Sequence, residues 1–356
     1  MEKSFNNQVK HHASGSLAQN LNKCETYQSN QTWHRDKTQN HINYKSDFHY
    51  SKKYTQAKLK KHKKSKNPIY EQTLVDPSLC TKTHRQITAD SHDLTSVIEQ
   101  MKTFVNSLSL ECMGQGPQML CGDQDNAKWM KLREIRVTAS RFGDVAKRRS
   151  LEPPEGMIKF VGNNVSPKTY DNSVASLDYG KVTEKIAIKA YQDKYPNIQV
   201  KQTGVWSHSE FPWMGGSPDG LIYDRSIEEE GLLEVKCPLK GQICNFQEVA
   251  TQNGFYMNKG INGKYSLNKS HKYYYQIQGC MNIINREFCD FVIYTSKDIY
   301  VERIVRDKEF FKTMKGKLRE YYYRFELPYH ADKPKPKDYN IEYTFISKDV
   351  YDTFLC

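Results

Sequence analysis

Two carboxylates and a lysine stand at strand spacing in the middle of the chain. The run Gly215-Gly216-Ser217-Pro218-Asp219-Gly220-Leu221-Ile222-Tyr223 is followed by a polar segment and then by Gly231-Leu232-Leu233-Glu234-Val235-Lys236-Cys237-Pro238. Two apolar stretches of strand length with a polar, glycine-ended link read as an antiparallel hairpin. Side chains alternate along a strand, so Glu234 and Lys236 share a face. Centring the hairpin on the Ile227–Glu228 bond sets Asp219 opposite Lys236 and Leu221 opposite Glu234. Asp219, Glu234 and Lys236 then meet at one edge of one face. Leu232, Leu233 and Val235 mark the strand as packed, and a buried carboxylate requires a partner or a metal. An isolated Glu-X-Lys would read as a structural ion pair; Ser-Pro-Asp-Gly and Glu-Val-Lys-Cys-Pro together at hairpin spacing favour a site.

Phosphodiester hydrolysis suits this set. Mg²⁺, or Mn²⁺ as the alternative, binds carboxylate, carbonyl and water oxygens, so Asp219, Glu234 and the main-chain carbonyl of Val235 make a suitable metal shell. A metal so held lowers the pKa of its water and withdraws charge from phosphate. Lys236 is then placed to position or deprotonate that water, or to stabilise transition-state charge.

These residues resemble the PD-(D/E)XK nuclease superfamily and, within it, the YqaJ-type viral recombinase group that includes lambda exonuclease. The likeness extends upstream to Leu132-Arg133-Glu134-Ile135-Arg136-Val137-Thr138-Ala139-Ser140 and Gly180-Lys181-Val182-Thr183-Glu184. Downstream it takes in Tyr275-Gln276-Ile277-Gln278 and Cys289-Asp290-Phe291-Val292-Ile293-Tyr294-Thr295. The resemblance covers roughly residues 125–325 and implies an α/β fold, a restriction-endonuclease-like core with a central mixed β-sheet flanked by helices. It implies Glu184 as an outer or second-metal ligand, Gln276 as an active-site residue, and Arg133, Ser140 and Ser217 as binders of a terminal 5′ phosphate. It also implies a homo-oligomer. The family's phosphate-binding arginine after the Glu-X-Lys strand is Gln242 here, with Lys240 nearby as the substitute DNA-binding residue, and Ser209 stands at the family's upstream acidic position. Both departures weaken strict dependence on a 5′ phosphate.

Charge divides the chain. Of the net charge of +12, ten units sit in residues 1–70, with fourteen Lys/Arg against four Asp/Glu. That segment is rich in Asn, Gln, Ser and His, peaks in basicity at Lys58 to Lys66, and has the composition of a disordered tail. Its lysines read as a nuclear-localisation signal, a non-specific nucleic-acid arm, or a merely solvated charge run. The expected organisation is a basic low-complexity tail over 1–75, a linker and amphipathic helix over 76–122, a nuclease domain over 123–327, and a C-terminal extension over 328–356.

Nine cysteines include no Cys-X-X-Cys and no paired His at ligand spacing, which argues against structural zinc. No apolar run reaches membrane-spanning length, and the N-terminus lacks a secretory apolar core. The expected location is intracellular: the nucleus for a eukaryotic chain, otherwise the cytoplasm. Residues 71–92 read as linker, Asp93 to Leu108 as a helix, Pro153 to Pro167 as a loop, and Ser176 to Lys194 as a helix with Leu177, Glu184, Ile188 and Tyr191 on one face. A glycine- and asparagine-rich loop precedes the helix from His271 to Ile284, a last helix spans Lys308 to Phe325, and Pro328 to Lys337 closes the globular part. Tyr273, Tyr274, Tyr275, Tyr321, Tyr322 and Tyr323 are candidates for base stacking, with a core role favoured for most.

The sequence thus predicts a Mg²⁺-dependent DNA exonuclease acting on duplex DNA with free ends, in recombination, repair or mobile-element replication. The rivals are a catalytically silent DNA-binding module of the same fold and an endonuclease. The intact Asp219, Glu234, Lys236 set argues against the silent module.

Overall fold

The computed structural model describes residues 83–110, 116–165, 175–332 and 341–355. The expected basic tail and its lysine cluster lie outside the described residues. Strand β1 (Thr83–Ile87) leads into helix α1 (Leu94–Leu110), whose Val97, Ile98, Met101 and Leu108 are buried at the predicted helical spacing. Next come β2 (Gln118–Met119), α2 (Ala127–Glu134), β3 (Val137–Thr138), α3 (Ala139–Ala146), α4 (Pro154–Val165) and α5 (Ala175–Lys194). The central strands are β4 (Ile198–Lys201), β5 (Trp206–Ser207), β6 (Met214–Gly216), β7 (Gly220–Asp224) and β8 (Glu229–Lys236). A 3₁₀ turn (Leu239–Gln242), α6 (Phe246–Ala250), β9 (Met257–Lys259), β10 (Tyr265–Leu267) and α7 (Lys272–Ile284) follow. The chain continues through β11 (Phe288–Tyr294), β12 (Ile299–Val305), α8 (Lys308–Tyr321), a π turn (Tyr322–Glu326), α9 (Leu327–Ala331), β13 (Ile341–Ile346) and α10 (Lys348–Phe354).

The main sheet has the order β12-β11-β8-β7-β4; β8 and β11 are parallel and the other neighbours antiparallel. Strand β8 is central, so its side chains are covered on both faces. Leu233 and Val235 pack with Ala187 and Tyr191 of α5, while Leu232 joins the larger core with Ile277 and Cys280 of α7. Glu234 therefore points, at 1% exposure, into the layer between the sheet and α7. A second mixed sheet, β2-β5-β6-β3, carries the segment that leads into Ser217 and Asp219. The mixed sheets flanked by helices are the architecture expected from the sequence.

An ion cluster fastens α5 to its face of the sheet. Arg303 donates to Asp290 (2.7 Å) and Asp224 (2.9 Å), and the Tyr191 hydroxyl donates to Asp290. On the other face, α3 and α7 touch closely at two glycines. A Cβ on Gly143 would lie 2.8 Å from the Lys272 Cα, and one on Gly279 would lie 2.6 Å from the Phe142 ring. This contact sets Ser140 and Gln276, one from each helix, on the same side of the molecule.

Several sequence expectations need correction. The hairpin register differs by two residues: Gly220 pairs with Leu233 and Leu221 with Leu232, not with Glu234. The turn is shorter because the Asp224 carboxylate accepts from the Ser226 backbone N–H (3.0 Å) and Glu228 takes a left-handed conformation (φ 55°). An even shift leaves every side chain on its face. The expected loop at Pro153 to Pro167 contains α4, which Pro154 can start because its missing N–H would have no intrahelical acceptor; Met157, Ile158 and Val161 bury its inner side. The Gly/Asn-rich loop contains the β9–β10 hairpin. The stretch read as linker supplies β1, which pairs in parallel with β13, and Phe345, Ile346, Val350 and Tyr351 enter the main core, so packing continues beyond Pro328 to Lys337. The inner face of α5 is centred on Thr183, Ala187 and Tyr191, with Glu184 and Ile188 at its flank.

Candidate active site

Just before β7 the chain passes through Pro218, which cannot donate a ladder hydrogen bond. The Asp219 carboxylate takes over: its Oδ2 accepts from the Val235 N–H at 2.6 Å, while the Asp219 N–H donates to the Leu233 carbonyl at 3.0 Å. The two acids therefore come together because a side chain continues the sheet. In a strand the N–H and C=O of one residue point to the same side, so the Val235 carbonyl also faces the Asp219 flank. One residue earlier, Glu234 Oε1 accepts from Lys236 Nζ (2.5 Å) and from Gln276 Nε2 on α7 (2.6 Å). Asp219 Oδ1 and Glu234 Oε2 are left without a hydrogen bond among the described residues.

The electrostatics are those of too many acids in a small space. Burial, then Asp219, pushes Glu234 up to about 8, and burial with the charge of Asp219 pushes Glu184 up to about 7. Burial also raises Asp219, against the pull of Lys236. Burial alone would lower the Lys236 ammonium, but Glu234 and Asp219 hold it above the ordinary lysine range. Lys236 is thus a fixed positive charge, which favours charge stabilisation over proton abstraction in the metal-free protein.

A cavity of about 700 Å³ unites these groups with the expected phosphate binders: Glu184, Asp219, Glu234, Lys236 and Gln276 line it together with Arg133, Ser140 and Ser217. Trp129 holds the second set. Its indole N–H donates to Ser217 Oγ (2.9 Å), and the Arg133 guanidinium lies 3.9 Å from the centroid of its ring. Arg133 Nη2 reaches Ser140 Oγ at 3.5 Å, and the Ser140 and Thr138 hydroxyls are 3.1 Å apart. Thr138 is the N-cap of α3, but its side chain makes no cap bond.

Lys240 is not brought into this cavity; it sits exposed on the 3₁₀ turn, as does Gln242. Sequence reasoning missed Gln124, whose amide donates to the Thr203 carbonyl (3.0 Å) and to the Pro218 carbonyl (2.8 Å), tying down the residue before Asp219. It also missed Trp129 as a site residue, and Lys181 and Lys185 on the cavity wall. The position of Lys181 three residues before Glu184 on a helix was the signal that could have found it; Lys185, one residue after, carried none.

Among the described residues no group of three or more His, Cys, Asp or Glu side chains forms a ready-made metal cage. The donor set nevertheless fits a hard divalent cation that keeps several waters. Asp219, Glu234 and the Val235 carbonyl are oxygen donors at one edge, and the mutual repulsion of the acids is what such an ion would relieve.

Residues 128–287 match the YqaJ-like viral recombinase domain. An alkaline exonuclease from Laribacter hongkongensis is 22% identical, the match covering 58% of this chain and 95% of that one with a TM-score of 0.43. The same enzyme in complex with dAMP gives a TM-score of 0.44 at 22% identity, over 58% of this chain and 95% of that one. A phage-related exonuclease from Haemophilus somnus 129PT is 16% identical over 54% of this chain and 96% of its own, with a TM-score of 0.33. None of the curated proteins compared with the chain matches it.

Proposed function

We propose, on the match of residues 128–287 to the YqaJ-like viral recombinase domain, that the chain is a DNA nuclease, more specifically a Mg²⁺-dependent exonuclease that hydrolyses duplex DNA from its ends in recombination, repair or mobile-element replication. The observation that carries this reading is the single cavity joining Glu184, Asp219, Glu234, Lys236 and Gln276 to Arg133, Ser140 and Ser217. Asp219, Glu234 and the Val235 carbonyl would hold the metal, with Glu184 as an outer or second ligand. When bound, the metal would acidify a water and withdraw charge from the scissile phosphate.

The protein's own residues do the rest. Gln276 and Lys236 share Glu234 Oε1 and so fix that carboxylate, leaving its other oxygen for the ion. Lys236, kept charged by its acidic neighbours, stabilises the negative charge that develops at phosphorus. Gln124 holds the Pro218 carbonyl and with it the approach of Asp219. Arg133, Ser140 and Ser217, beside the start of α3, suit a terminal phosphate. With Gln242 in place of an arginine and Lys240 outside the cavity, preference for a 5′-phosphorylated end is present but weak. DNA is the partner, and assembly into a homo-oligomer belongs to the same reading. So does the organisation into a basic tail over 1–75, a linker and helix over 76–122, a nuclease domain over 123–327 and an extension over 328–356.

The test is end-labelled linear duplex, with and without a 5′ phosphate, beside closed circular DNA, in Mg²⁺ and in EDTA. The reading expects Mg²⁺-dependent loss of linear DNA with the circle intact. Equal digestion of the circle would make the protein an endonuclease, and binding without cleavage would make it a silent DNA-binding module.

A further inference from the structure

The tyrosine run before Gln276 divides by environment. Tyr274 is buried in the core, and Tyr275 packs edge-on against Phe310. Tyr273 instead turns to the carboxylate cluster, with Lys236 Nζ 4.8 Å from its ring centroid. Beside it lies a cavity of about 300 Å³, walled by Tyr273, Tyr256 and Pro238 and sharing Lys181, Glu184 and Lys236 with the larger one. The two cavities are thus neighbours across Glu184 and Lys236.

The smaller cavity has the features of a selective pocket for a flat, partly polar group. Its volume is at the lower end of the roughly 300–1,000 Å³ typical of small-molecule pockets, room for one ring system and a sugar. Tyr256 and Tyr273 stand edge to face, centroids 5.0 Å apart, and Tyr256 stacks on Phe255 at 4.0 Å, so the aromatic wall is braced from behind. The Tyr256 hydroxyl is buried and has no hydrogen-bond partner among the described residues. A buried hydroxyl left in that state is unfavourable, and a ligand able to pair with it gains accordingly. Lys181 and Lys236 line the pocket and supply positive charge. A nucleobase on a phosphate-bearing strand has each complementary property: a π-face for the tyrosines, polar edges for the hydroxyl, and anionic phosphates for Lys181 and Lys236.

We propose that the pocket of Tyr256, Tyr273 and Pro238 is a nucleobase subsite, holding the base of a nucleotide next to the phosphate that is cut. This rests on the nuclease reading above. It makes Tyr273 and Tyr256 substrate-positioning residues on the far side of Lys236 from Arg133, so that a strand is gripped on both sides of the carboxylates.

The test uses the full chain with Mg²⁺ and linear duplexes carrying one abasic nucleotide, moved stepwise from the end through the first several positions. Stacking of one base contributes roughly five- to a hundredfold to binding. For the wild type, one abasic position should therefore raise KM about tenfold while kcat changes little. Tyr273→Leu should raise KM on intact DNA by a similar factor and lose further sensitivity to the abasic site, whereas Tyr273→Phe, which keeps the ring, should behave as the wild type. Tyr256→Phe should keep the abasic penalty but level the differences among the four bases. An abasic penalty of the same size in wild type and Tyr273→Leu at every position would overturn the subsite, and an unchanged base preference in Tyr256→Phe would overturn the hydroxyl's part. Failure of the wild type to cut even intact DNA would instead remove the nuclease reading on which the subsite rests.

Discussion

Replacing Glu302 by glutamine should stabilise the protein above neutral pH and leave it unchanged in acid. Glu302 lies on β12, half-buried, and its carboxylate accepts from the Leu267 N–H of the β9–β10 hairpin at 2.7 Å. Burial raises this carboxyl from 4.5 to about 7, and the hydrogen bond from Leu267 opposes the rise without cancelling it. A folded-state value above the unfolded one means that the folded protein binds the proton more tightly. The associated stability is complete below about pH 4.5 and is lost as pH climbs through about 7. Fully desolvated, that difference would be about 3 kcal/mol at roughly 1.4 kcal/mol per unit; discounted for the solvent screening of a partly exposed group it is on the order of 1–2 kcal/mol. Glutamine keeps an oxygen for Leu267 and carries no charge. Urea unfolding of wild type and Glu302→Gln across this pH range should therefore show curves that coincide in acid and separate, variant above wild type, by on the order of 1–2 kcal/mol at about pH 8. A gap independent of pH, or a variant less stable at alkaline pH, would refute the argument that this carboxylate is held where its charge is unfavourable.

Other expectations follow from the same geometry. Arg303→Met leaves Asp290 and Asp224 buried without their cation and should cost about 3–5 kcal/mol in equilibrium unfolding; a loss too small to measure would mean that the cluster is solvated. Arg133→Ala should erase the preference for 5′-phosphorylated over unphosphorylated ends and leave Mg²⁺-dependent cleavage in place, as read from paired rates on the two substrates. Deleting residues 1–70, which carry ten of the twelve net positive charges, should weaken DNA binding and flatten its dependence on salt, measured as the slope of log K against log salt concentration. Unchanged binding would direct attention to a localisation role, tested by nuclear accumulation.

What the sequence disclosed, and what it hid, follows from the range of the interactions involved. Glu234 and Lys236 share a face because strand periodicity is local, and even a two-residue error in the hairpin register kept Asp219 beside them. Gln276 was legible only through the family resemblance; that its helix places it over that face is seen in the fold. Lys240 was not, since a 3₁₀ turn begins one residue before it and turns it outward, and short turns carry no periodic signal. Helix α4 was hidden by composition: proline, glycine and asparagine outweighed the apolar spacing of Met157, Ile158 and Val161. The β1–β13 pair joins residues more than two hundred positions apart, which no window along the chain can see. Gln124 and Trp129 act through single hydrogen bonds to the Ser217–Pro218 segment, contacts that only the folded geometry brings about.

The central claim is that the carboxylate cavity cleaves DNA, and release of labelled nucleotide from linear duplex in Mg²⁺ by wild type, Asp219→Ala and Lys236→Ala tests it most directly. Circular dichroism and gel filtration would verify that all three are folded. The wild type should turn over DNA, and both variants should lose that turnover with the fold retained. Near-wild-type release of nucleotide by folded Asp219→Ala would contradict the claim.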